Sequence, residues 1–586
     1  MNSMMNNPRV FLWILLVMAG WLNYEAWNRD YASHVDATAT AGQTPGTPAN
    51  DLGSAIPKPG APPTTASGVP PAAAPAPAPV PGTLPSTAPL TSSEVPTATG
   101  GAGVGGVPVH VRTDVLDLDI DLKGGTIRRA DMVKYPKVKG QPDRMRLMNT
   151  DPATQYLLQT GLTGPDSSAR PTHLTDYSSA QKEYVLNGAS ELRVPLTWTN
   201  GDGVTVTKTF IFKPGQYRID LEYDIENHSG AAWLAAPYAQ IQRRDPAVER
   251  SFITTNVENL SSHGPAYRDG TKYKKLKLTS DDDRNFNIDV KNGSWIAAIQ
   301  HHFVGAVVPP ENTPYHFSMK SDGATEFVLS ALGPTTTVAE GQKAQLTQRL
   351  FIGPKLQDQL DATGTDLDRV ADYGVLTFLS KPLFIVLAWV HSVFGNWGWT
   401  IVFVTFLLKL VFYPLSETSG RSMGKMKLLG PRMKALQETY KDDREKLGKA
   451  MMELYKKEKV NPVAGCVPMI VQIPVFLAFY WVLLESVEMR QAPFFGWITD
   501  LSSKDPFYVL PAIMAVAMFA QYKLQGTTSM DPVQQKVFMF MPLVMSVMFA
   551  FFPAGLVLYW VTNTVLGIAQ QWNINRRIEA EKARRG

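Results

Sequence analysis

Cysteine is almost absent from this chain of 586 residues, and the single one, Cys466, lies within an apolar run. One cysteine excludes an internal disulfide framework and any metal site built from several cysteines. The chain also lacks a strong excess of charge of either sign, because 56 lysines and arginines are set against 52 aspartates and glutamates. A net charge of +4 is too small for a chain of this length to predict DNA as a direct partner.

Signatures of enzymatic chemistry are missing from the large polar region over residues 109–355. We find no nucleophile motif, no phosphate-binding loop and no paired acids there. His301 and His302 are adjacent near a strand-like segment, and neighbouring residues of a strand point to opposite faces, so a shared metal site is not expected. We therefore expect no enzyme activity, no metal and no cofactor.

The first 108 residues predict a membrane anchor followed by a tether. Residues 10–22 form an apolar run after Arg9, which fits either a signal peptide or an uncleaved anchor. The long gap before the alanines at 37–41 favours a transmembrane anchor over residues 1–27, with the following segment outside the cytoplasm. Residues 28–108 are rich in proline and alanine and predict a semi-rigid linker outside the cytoplasm, because such a composition cannot bury a core.

Apolar and acidic residues alternate in the region that follows. Leucine and isoleucine alternate with aspartate over residues 116–122, and a clearer pair of segments, 204–212 and 219–225, flanks a turn at Pro214-Gly215. This period of two predicts antiparallel sheet with one buried and one solvated face. We therefore expect a large antiparallel β-sandwich domain outside the cytoplasm over residues 109–355.

Long apolar runs dominate the second half of the chain. Residues 367–394 have helical periodicity but only a short continuous apolar part, which predicts an amphipathic helix at the membrane interface. The run from Trp397 to Leu415 is long enough to cross a bilayer, and it contains one charge, Lys409. A lysine near the middle of a span costs about 2.5–3.5 kcal/mol, so Lys409 is either functional or snorkels to the interface.

Four more apolar runs predict further membrane spans, over residues 463–484, 507–522, 537–552 and 556–572. With the anchor, they predict a polytopic α-helical membrane protein with six transmembrane helices, of which residues 397–572 form a five-helix core. The lysines and arginines that flank the runs place both termini in the cytoplasm. No aspartate or glutamate lies inside any run, which argues against the alternative of a secondary transporter with acidic ion sites.

Basic residues cluster on the predicted cytoplasmic side. We expect a cytoplasmic helical hairpin over residues 417–462 and a basic tail over residues 573–586. The candidate docking residues are Arg421, Lys425, Lys427, Arg432, Lys434, Arg576 and Arg577. They fit a solvated loop that follows the positive-inside rule, and they equally fit a docking surface for ribosomal RNA, an acidic targeting factor or anionic phospholipid.

Polar residues recur inside the predicted spans. Thr405 lies one turn before Lys409, Gln472 interrupts the third span, and Trp560 and Asn563 share a face of the last span. Taken singly, such residues are typical of contacts that hold membrane helices together. Together with Lys409 they predict one hydrated cavity.

Four sequence stretches carry a resemblance to a known family. They are GNWGWTIVFVTFLLKLVFYPL, MMELYKKEKVNPVAGCVPMIVQIPVFLAFYWVLLESVEMRQAPF, DPVQQKVFMFMP and FPAGLVLYWVTN. Through them, residues 372–577 closely resemble the YidC insertase family in its Gram-negative form, whereas the resemblance over residues 109–353 rests on layout and strand content.

The resemblance implies a bacterial inner-membrane insertase and chaperone for nascent membrane proteins. It would act alone or beside the Sec translocon, the ribosome and a targeting receptor, without nucleotide hydrolysis. The family's periplasmic domain is similar to sugar-mutarotase-like sandwiches, so a membrane-tethered carbohydrate-binding domain is the second alternative to an insertase.

The resemblance also implies a hydrophilic groove that is open to the cytoplasm and to lipid. Lys409 occupies the position of a cationic residue that is arginine in other members, and lysine keeps the charge without the bidentate fork. Thr405 and Gln472 match groove positions, and Trp560 stands in place of a tyrosine. We expect both substitutions to preserve the groove.

Overall fold

The computed structural model describes residues 106–165, 170–245, 263–322, 325–440, 443–458, 467–525 and 532–583. These residues divide into a β unit, which ends at Val370, and a helical unit, which begins at Ala371. The predicted anchor over residues 1–27, and all but the end of the predicted linker over residues 28–108, lie outside the described residues.

Two large sheets form the β unit. The first has eleven strands: β1 Pro108–Arg112, β2 Leu116–Asp121, β3 Thr126–Pro136, β4 Arg144–Met148, β5 Tyr156–Thr163, β6 Glu183–Val185, β10 Trp233–Arg244, β13 Asn287–Val290, β16 Tyr315–Ser321, β17 Glu326–Leu332 and β18 Thr336–Val338. The second has eight strands: β7 Leu192–Thr199, β8 Val204–Phe212, β9 Arg218–Asn227, β11 Gly264–Asp269, β12 Tyr273–Lys275, β14 Ser294–Gln300, β15 Phe303–Val308 and β19 Lys343–Pro354. Two short helices, α1 Asp281–Arg284 and α2 Gln357–Thr363, accompany them.

The strand order is β13-β16-β17-β10-β5-β3-β2-β1-β6 in the first sheet, where β18 also pairs with β10 and β4 with β3. It is β12-β11-β14-β15-β19-β9-β8-β7 in the second sheet. Among the described pairs, β1 with β6 is parallel, whereas the neighbouring pairs β1 with β2 and β2 with β3 are antiparallel. The prediction of a purely antiparallel sandwich is therefore wrong at this edge, because β6 reaches β1 through a long connection instead of a hairpin.

The clearest predicted strand pair is confirmed. β8 and β9 pair from Val204 opposite Asn227 to Phe212 opposite Ile219. Alternate residues of β9 are buried, as the alternation of apolar and acidic residues predicts. Gly215 in the turn has a φ of 71°, a left-handed conformation that glycine adopts without steric strain.

The adjacent histidines depart from the prediction. His301 and His302 lie in the turn between β14 and β15, and their rings stack with centroids 3.7 Å apart. Side chains alternate between faces only along an extended strand, so the predicted separation of the two rings is wrong.

Apolar side chains of both sheets meet in one continuous core. The buried hydroxyl of Tyr156 on β5 crosses it. This hydroxyl donates to the carbonyl oxygen of Ala298 at 2.7 Å and accepts from the backbone N–H of Gly305 at 2.9 Å. Tyr156 therefore joins the two sheets by hydrogen bonds that are shielded from water.

Lys208 on β8 is a fully buried lysine. Its ammonium donates to the carbonyl oxygens of Gly124 at 2.8 Å, Thr160 at 2.9 Å and Gly125 at 3.3 Å. Three acceptors match the three N–H groups of the ammonium. Burial lowers the pKa of Lys208 well below its usual value.

The helical unit has nine helices within the described residues. They are α3 Thr377–Phe394, α4 Trp397–Val411, α5 Tyr413–Leu428, α6 Gly430–Thr439, α7 Arg444–Lys457, α8 Val467–Glu485, α9 Val509–Gln525, α10 Pro532–Phe549 and α11 Ala554–Ala583. A second apolar core holds most of them together. The buried hydroxyl of Ser380 on α3 also donates to the carbonyl oxygen of Ala478 on α8 at 3.3 Å.

By length and composition, α3 is the one described helix that is long and apolar enough to cross a membrane, and α4 forms a bent pair with the start of α5. Shorter apolar helices occupy residues 470–485, 509–524 and 539–549, which overlap the predicted spans. Phe378, Trp389 and Val393 on α3 are 66–75% exposed, an apolar surface that suits a span or an interfacial helix. The interfacial assignment of residues 367–394 stays a prediction.

Two helices that pack together lie where the hairpin is predicted. α6 and α7 pack through a small apolar cluster, which consists of Met426, Leu429, Met433, Met451, Leu454 and Tyr455. Arg432 and Glu458 form an ion pair with a Nη1–Oε1 distance of 2.6 Å. Residues 441–442 and 459–462 of the predicted hairpin lie outside the described residues, and its cytoplasmic location stays a prediction.

We expect Lys208→Met to loosen the packing between the sheets. The buried carbonyls of Gly124 and Thr160 would lose their donor, at a cost of about 1–3 kcal/mol. Hydrogen exchange of the β8 amides in the purified chain should become faster. Burial lowers the pKa of Lys208, so the unfolded state binds the proton of this lysine more tightly than the folded state does. The free energy of local unfolding therefore rises with pH between the lowered pKa and the unfolded value of about 10.4. Lys208→Met should lack this rise.

Lys343→Met is the matched control, because the side chain of Lys343 is 71% exposed on β19. Equal exchange of the β8 amides in the two variants would contradict the role assigned to Lys208.

Candidate functional site

A break in the chain beside Lys409 shapes the candidate site. α4 begins after Asn396, whose side-chain oxygen accepts from the N–H of Trp399 at 3.1 Å, and it ends at Val411. The next helix starts at Tyr413, and the two helices differ in direction by 62°. The predicted continuous helix from Trp397 to Leu415 is therefore wrong at its end, because Pro414 has no N–H to extend α4 and fits the first turn of a new helix.

The break brings the end of α4 and the start of α5 to one groove between helices. Four of the predicted site residues line it: Thr405, Lys409, Gln472 and Asn563. The other lining residues are Leu408, Phe412, Leu415, Ser416, Val471, Val475 and Tyr559. The groove has an empty volume of about 430 Å³, including open solvent, and its wall is mostly apolar with a few polar groups.

Lys409 is half-buried in the last turn of α4. Within the part of the chain that the structure describes, its ammonium makes no hydrogen bond and no ion pair. An ammonium carries three donors and no acceptor, so water or a ligand in the groove has to satisfy it.

The two amide side chains of the groove bind each other. Gln472 on α8 donates through Nε2 to Oδ1 of Asn563 on α11 at 2.7 Å. This bond fixes the two helices that face Lys409 relative to one another. Gln472 also interacts with the hydroxyl of Tyr559, so the amino group of Asn563 remains as a further donor for a ligand or water.

Thr405 is buried one turn before Lys409, with 1% of its surface exposed. Its hydroxyl donates to the carbonyl oxygen of Ile401 at 2.6 Å, within its own helix. The hydroxyl oxygen of Thr405 can therefore still accept a hydrogen bond from the groove, and the small side chain leaves space beside Lys409.

Trp560 does not line the groove. Its ring packs edge-on against Phe476, with centroids 4.8 Å apart, and against Phe549 at 5.1 Å. The preceding residue, Tyr559, lines the groove instead and stacks on Phe479 at 4.3 Å. Both Tyr559 and Trp560 are one turn from Asn563, so helical spacing did not distinguish them.

Only some of the basic residues that are predicted to form a docking surface lack an ion-pair partner among the described residues. Arg421 on α5 and Arg577 on α11 both approach Glu417, with Nη–Oε1 distances of 2.9 Å and 3.4 Å. Arg576 lies over the ring of Trp572 at 5.6 Å, and Lys434 is exposed. The side chains of Lys425 and Lys427 lie outside the described part of the structure.

Two glycines let α5 approach α11 closely. A methyl group placed on Gly420 would lie 2.8 Å from Cδ1 of Ile574, and one on Gly424 would lie 2.5 Å from Cδ1 of Ile578. Together with the shared carboxylate of Glu417, these close contacts hold α5 on the end of α11.

Family models match nearly all of the described chain. The 60Kd inner membrane protein model matches residues 389–582, and the YidC periplasmic domain model matches residues 108–386. The β-sandwich is therefore the periplasmic domain of this family, and the helical unit is its membrane region.

Similar proteins agree with these matches. A membrane protein insertase YidC from Thioalkalivibrio sulfidiphilus is 42% identical over 98% of this chain and 99% of its own length. The protein of the same name from Methylococcus capsulatus is 45% identical over 84% of this chain and 89% of its own. A crystal structure of an active YidC insertase aligns with 79% of this chain and 92% of that chain, with a TM-score of 0.37 and 18% identity. Because these two relatives are 42% and 45% identical to this chain over most of its length, the chain belongs to the YidC family of membrane protein insertases.

Proposed function

We propose that this chain inserts newly made membrane proteins into the bacterial inner membrane through the groove around Lys409. The observation that supports this most directly is the half-buried ammonium, which has no partner among the described residues although most of its surroundings are apolar. A charge in such a place is costly unless water or a ligand compensates it. The similar proteins carry the name membrane protein insertase, which fits a groove that receives a polypeptide.

The ligand that fits Lys409 is an acidic, short extracytoplasmic segment of a nascent membrane protein. Lys409 attracts the carboxylates of this segment, and the polar groups of Gln472 and Asn563 hydrate the groove by binding water. Hydration lowers the cost of moving polar backbone part of the way across the membrane. For acidic segments the membrane potential adds about 2.3 kcal/mol per charge per 100 mV.

The apolar segment of the substrate then leaves the groove along α8 and α10. Both helices expose large apolar side chains: Ile470, Ile473 and Leu477 on α8, and Phe540, Leu543, Val544 and Val547 on α10. In a bilayer these side chains face lipid tails. An apolar substrate segment that moves along them therefore replaces contacts with the helix by contacts with lipid, at little cost in free energy. Hydrophobic burial of the substrate drives this step.

The topology that goes with this function has six spans, both termini in the cytoplasm, and the β unit in the periplasm. The anchor over residues 1–27 is the first span, and the other five lie within residues 397–572. α6 and α7 then form the cytoplasmic hairpin over residues 417–462. Three of the apolar helices are short for a hydrocarbon core of about 30 Å, which favours local thinning of the bilayer.

The basic residues of α5 to α7 and of the tail at 573–586 form the docking surface for the ribosome, a targeting receptor or anionic phospholipids, and the Sec translocon is a partner in the membrane. Of the seven candidate residues, Lys434 and Arg576 are exposed and have no ion pair among the described residues. Arg421 and Arg577 are partly neutralised by Glu417.

The charge of Lys409 is tested by Lys409→Ala, Lys409→Glu and Lys409→Arg. We expect Arg to retain insertion of a small single-span substrate with an acidic translocated segment. Ala should lower it, and Glu should lower it further, by more than about tenfold, because a bond to a charged group is worth about 1.5–3 kcal/mol. Protease protection in vesicles measures the inserted fraction, and normal insertion by Lys409→Glu would sink the charge-attraction mechanism.

The Gln472–Asn563 bond should contribute to helix pairing. A double-mutant cycle of Gln472→Leu and Asn563→Leu, followed by thermal unfolding in detergent, should give a coupling free energy of about 0.6 kcal/mol. The matched cycle of Gln472→Leu with Thr405→Val should show none, because the Thr405 hydroxyl binds its own helix. A coupling of equal size in both cycles would contradict a specific amide pair.

The docking surface is tested by Lys434→Glu combined with Arg576→Glu. We expect weaker binding to ribosomes or to anionic vesicles, since each basic residue near an anionic surface is worth about 1 kcal/mol. The control is Lys182→Glu with Lys320→Glu, which changes net charge equally on exposed sites of the β unit. Equal loss in both variants would indicate an effect of net charge and not of this surface.

A further inference from the structure

A gap in α11 lies next to the ammonium of Lys409. A methyl group placed on Gly567 would lie 3.7 Å from Nζ of Lys409 and 3.7 Å from Nε2 of Gln521. Apart from chain neighbours, no other side chain of the described residues comes within 4 Å of that point. The two polar ends are therefore no further apart than twice 3.7 Å, and the missing side chain at Gly567 leaves the space between them open.

Gln521 belongs to α9, which supplies none of the residues that line the groove. Its side chain is half-buried, and it makes no hydrogen bond within the described part of the chain. Lys409 consequently stands between two sets of amides: Gln472 with Asn563 in the groove, and Gln521 across Gly567.

The polar strip continues along the same face of α11. Gly567 is one turn beyond Asn563, and Gln570 is almost one turn further. Nε2 of Gln570 is buried without a hydrogen-bond partner among the described residues. A buried donor of this kind needs water or a ligand, so polar contents are expected beyond the groove as well as within it.

We propose that the gap at Gly567 admits an acidic side chain of a substrate segment in the groove, so that its carboxylate contacts both Lys409 and Gln521, and that Gly567 and Gln521 determine which segments are accepted. The inference rests on the proposed insertase function. The substrate class is a translocated segment that carries carboxylates. Lys409 supplies the charge, and the amide of Gln521 supplies both a donor for the second carboxylate oxygen and an acceptor for backbone N–H groups.

The size of residue 567 is the first part of the test. Gly567→Leu fills the gap, whereas Gly567→Ala adds one methyl group at an ordinary contact distance. Alanine and leucine both have a higher helix propensity than glycine, so neither replacement is expected to prevent folding. The probe is a single-span substrate with two acidic residues in its translocated segment, compared with the same substrate carrying serine at those positions.

With the purified chain in vesicles, Gly567→Leu should slow insertion of the acidic substrate by about tenfold, the loss expected when a charged hydrogen bond is removed. The serine substrate should change by less than about twofold, within the variation of exposed substitutions. Gly567→Ala places only one methyl group in the gap, so it should slow the acidic substrate less than Gly567→Leu does. Equal rates for Gly567→Leu and Gly567→Ala on both substrates would overturn the proposal.

Gln521 is tested in the same assay. Gln521→Leu removes the amide at similar volume and should slow the acidic substrate selectively. Gln521→Glu should slow it as well, because a carboxylate there competes for the ammonium of Lys409. Val516→Leu, at a 72% exposed position of α9, is the control and should have no effect. Unchanged insertion by both Gln521 variants would overturn the role of Gln521.

A cross-link reports the location of the substrate directly. In a Cys466→Ser background and with an added oxidant such as copper phenanthroline, Gly567→Cys should form a disulfide with a cysteine in the translocated segment, and Val516→Cys should not. If the wild-type chain inserted neither substrate, the proposed function itself would fail. If it inserted both but Gly567→Cys formed no cross-link, only the role of the gap at Gly567 would be refuted.

Discussion

The free-energy cost of a charge held away from water governs both units of this chain. Lys208 in the β-sandwich and Lys409 in the helical unit are lysines without a carboxylate partner among the described residues. Three carbonyl oxygens satisfy Lys208 in full, and no water or ligand is needed beside it. Lys409 has no such acceptors in the described structure, so its surroundings have to admit something that supplies them.

The features around Lys409 follow from this requirement. The break before Tyr413 opens α4 away from α5, which creates space beside the ammonium. The amides of Gln472 and Asn563 bind each other, so the polar wall keeps its shape without a ligand. Gly567 has no side chain, which leaves space between the ammonium of Lys409 and the amide of Gln521. Elsewhere a large apolar core holds most of these helices together.

Much of the fold could be predicted from the sequence where periodicity and charge report directly on the environment. Alternation identified β8 and β9, and apolar runs identified the positions of α8 to α11. A lysine within an apolar run identified the centre of the groove, together with Thr405, Gln472 and Asn563. The parallel pairing of β1 with β6 could not be predicted, because it depends on contacts between residues far apart in the chain.

Other details were beyond the sequence for local reasons. Tyr559 and Trp560 are neighbours on one helical turn, and only the packing of Trp560 against Phe476 and Phe549 decides which ring reaches the groove. The apolar lining residues, such as Leu408 and Val475, are indistinguishable in sequence from residues that face lipid. The position of the helix break at Phe412 required the geometry around Pro414, although the proline itself was visible in the sequence.

The length of α11 has a mechanical consequence: its 30 residues extend about 45 Å, whereas the hydrocarbon core is about 30 Å thick. One uninterrupted helix thus carries Asn563 and Gly567 at one level and Arg576 and Arg577 further along its axis, so a partner bound to the two arginines would also set the orientation of the groove wall.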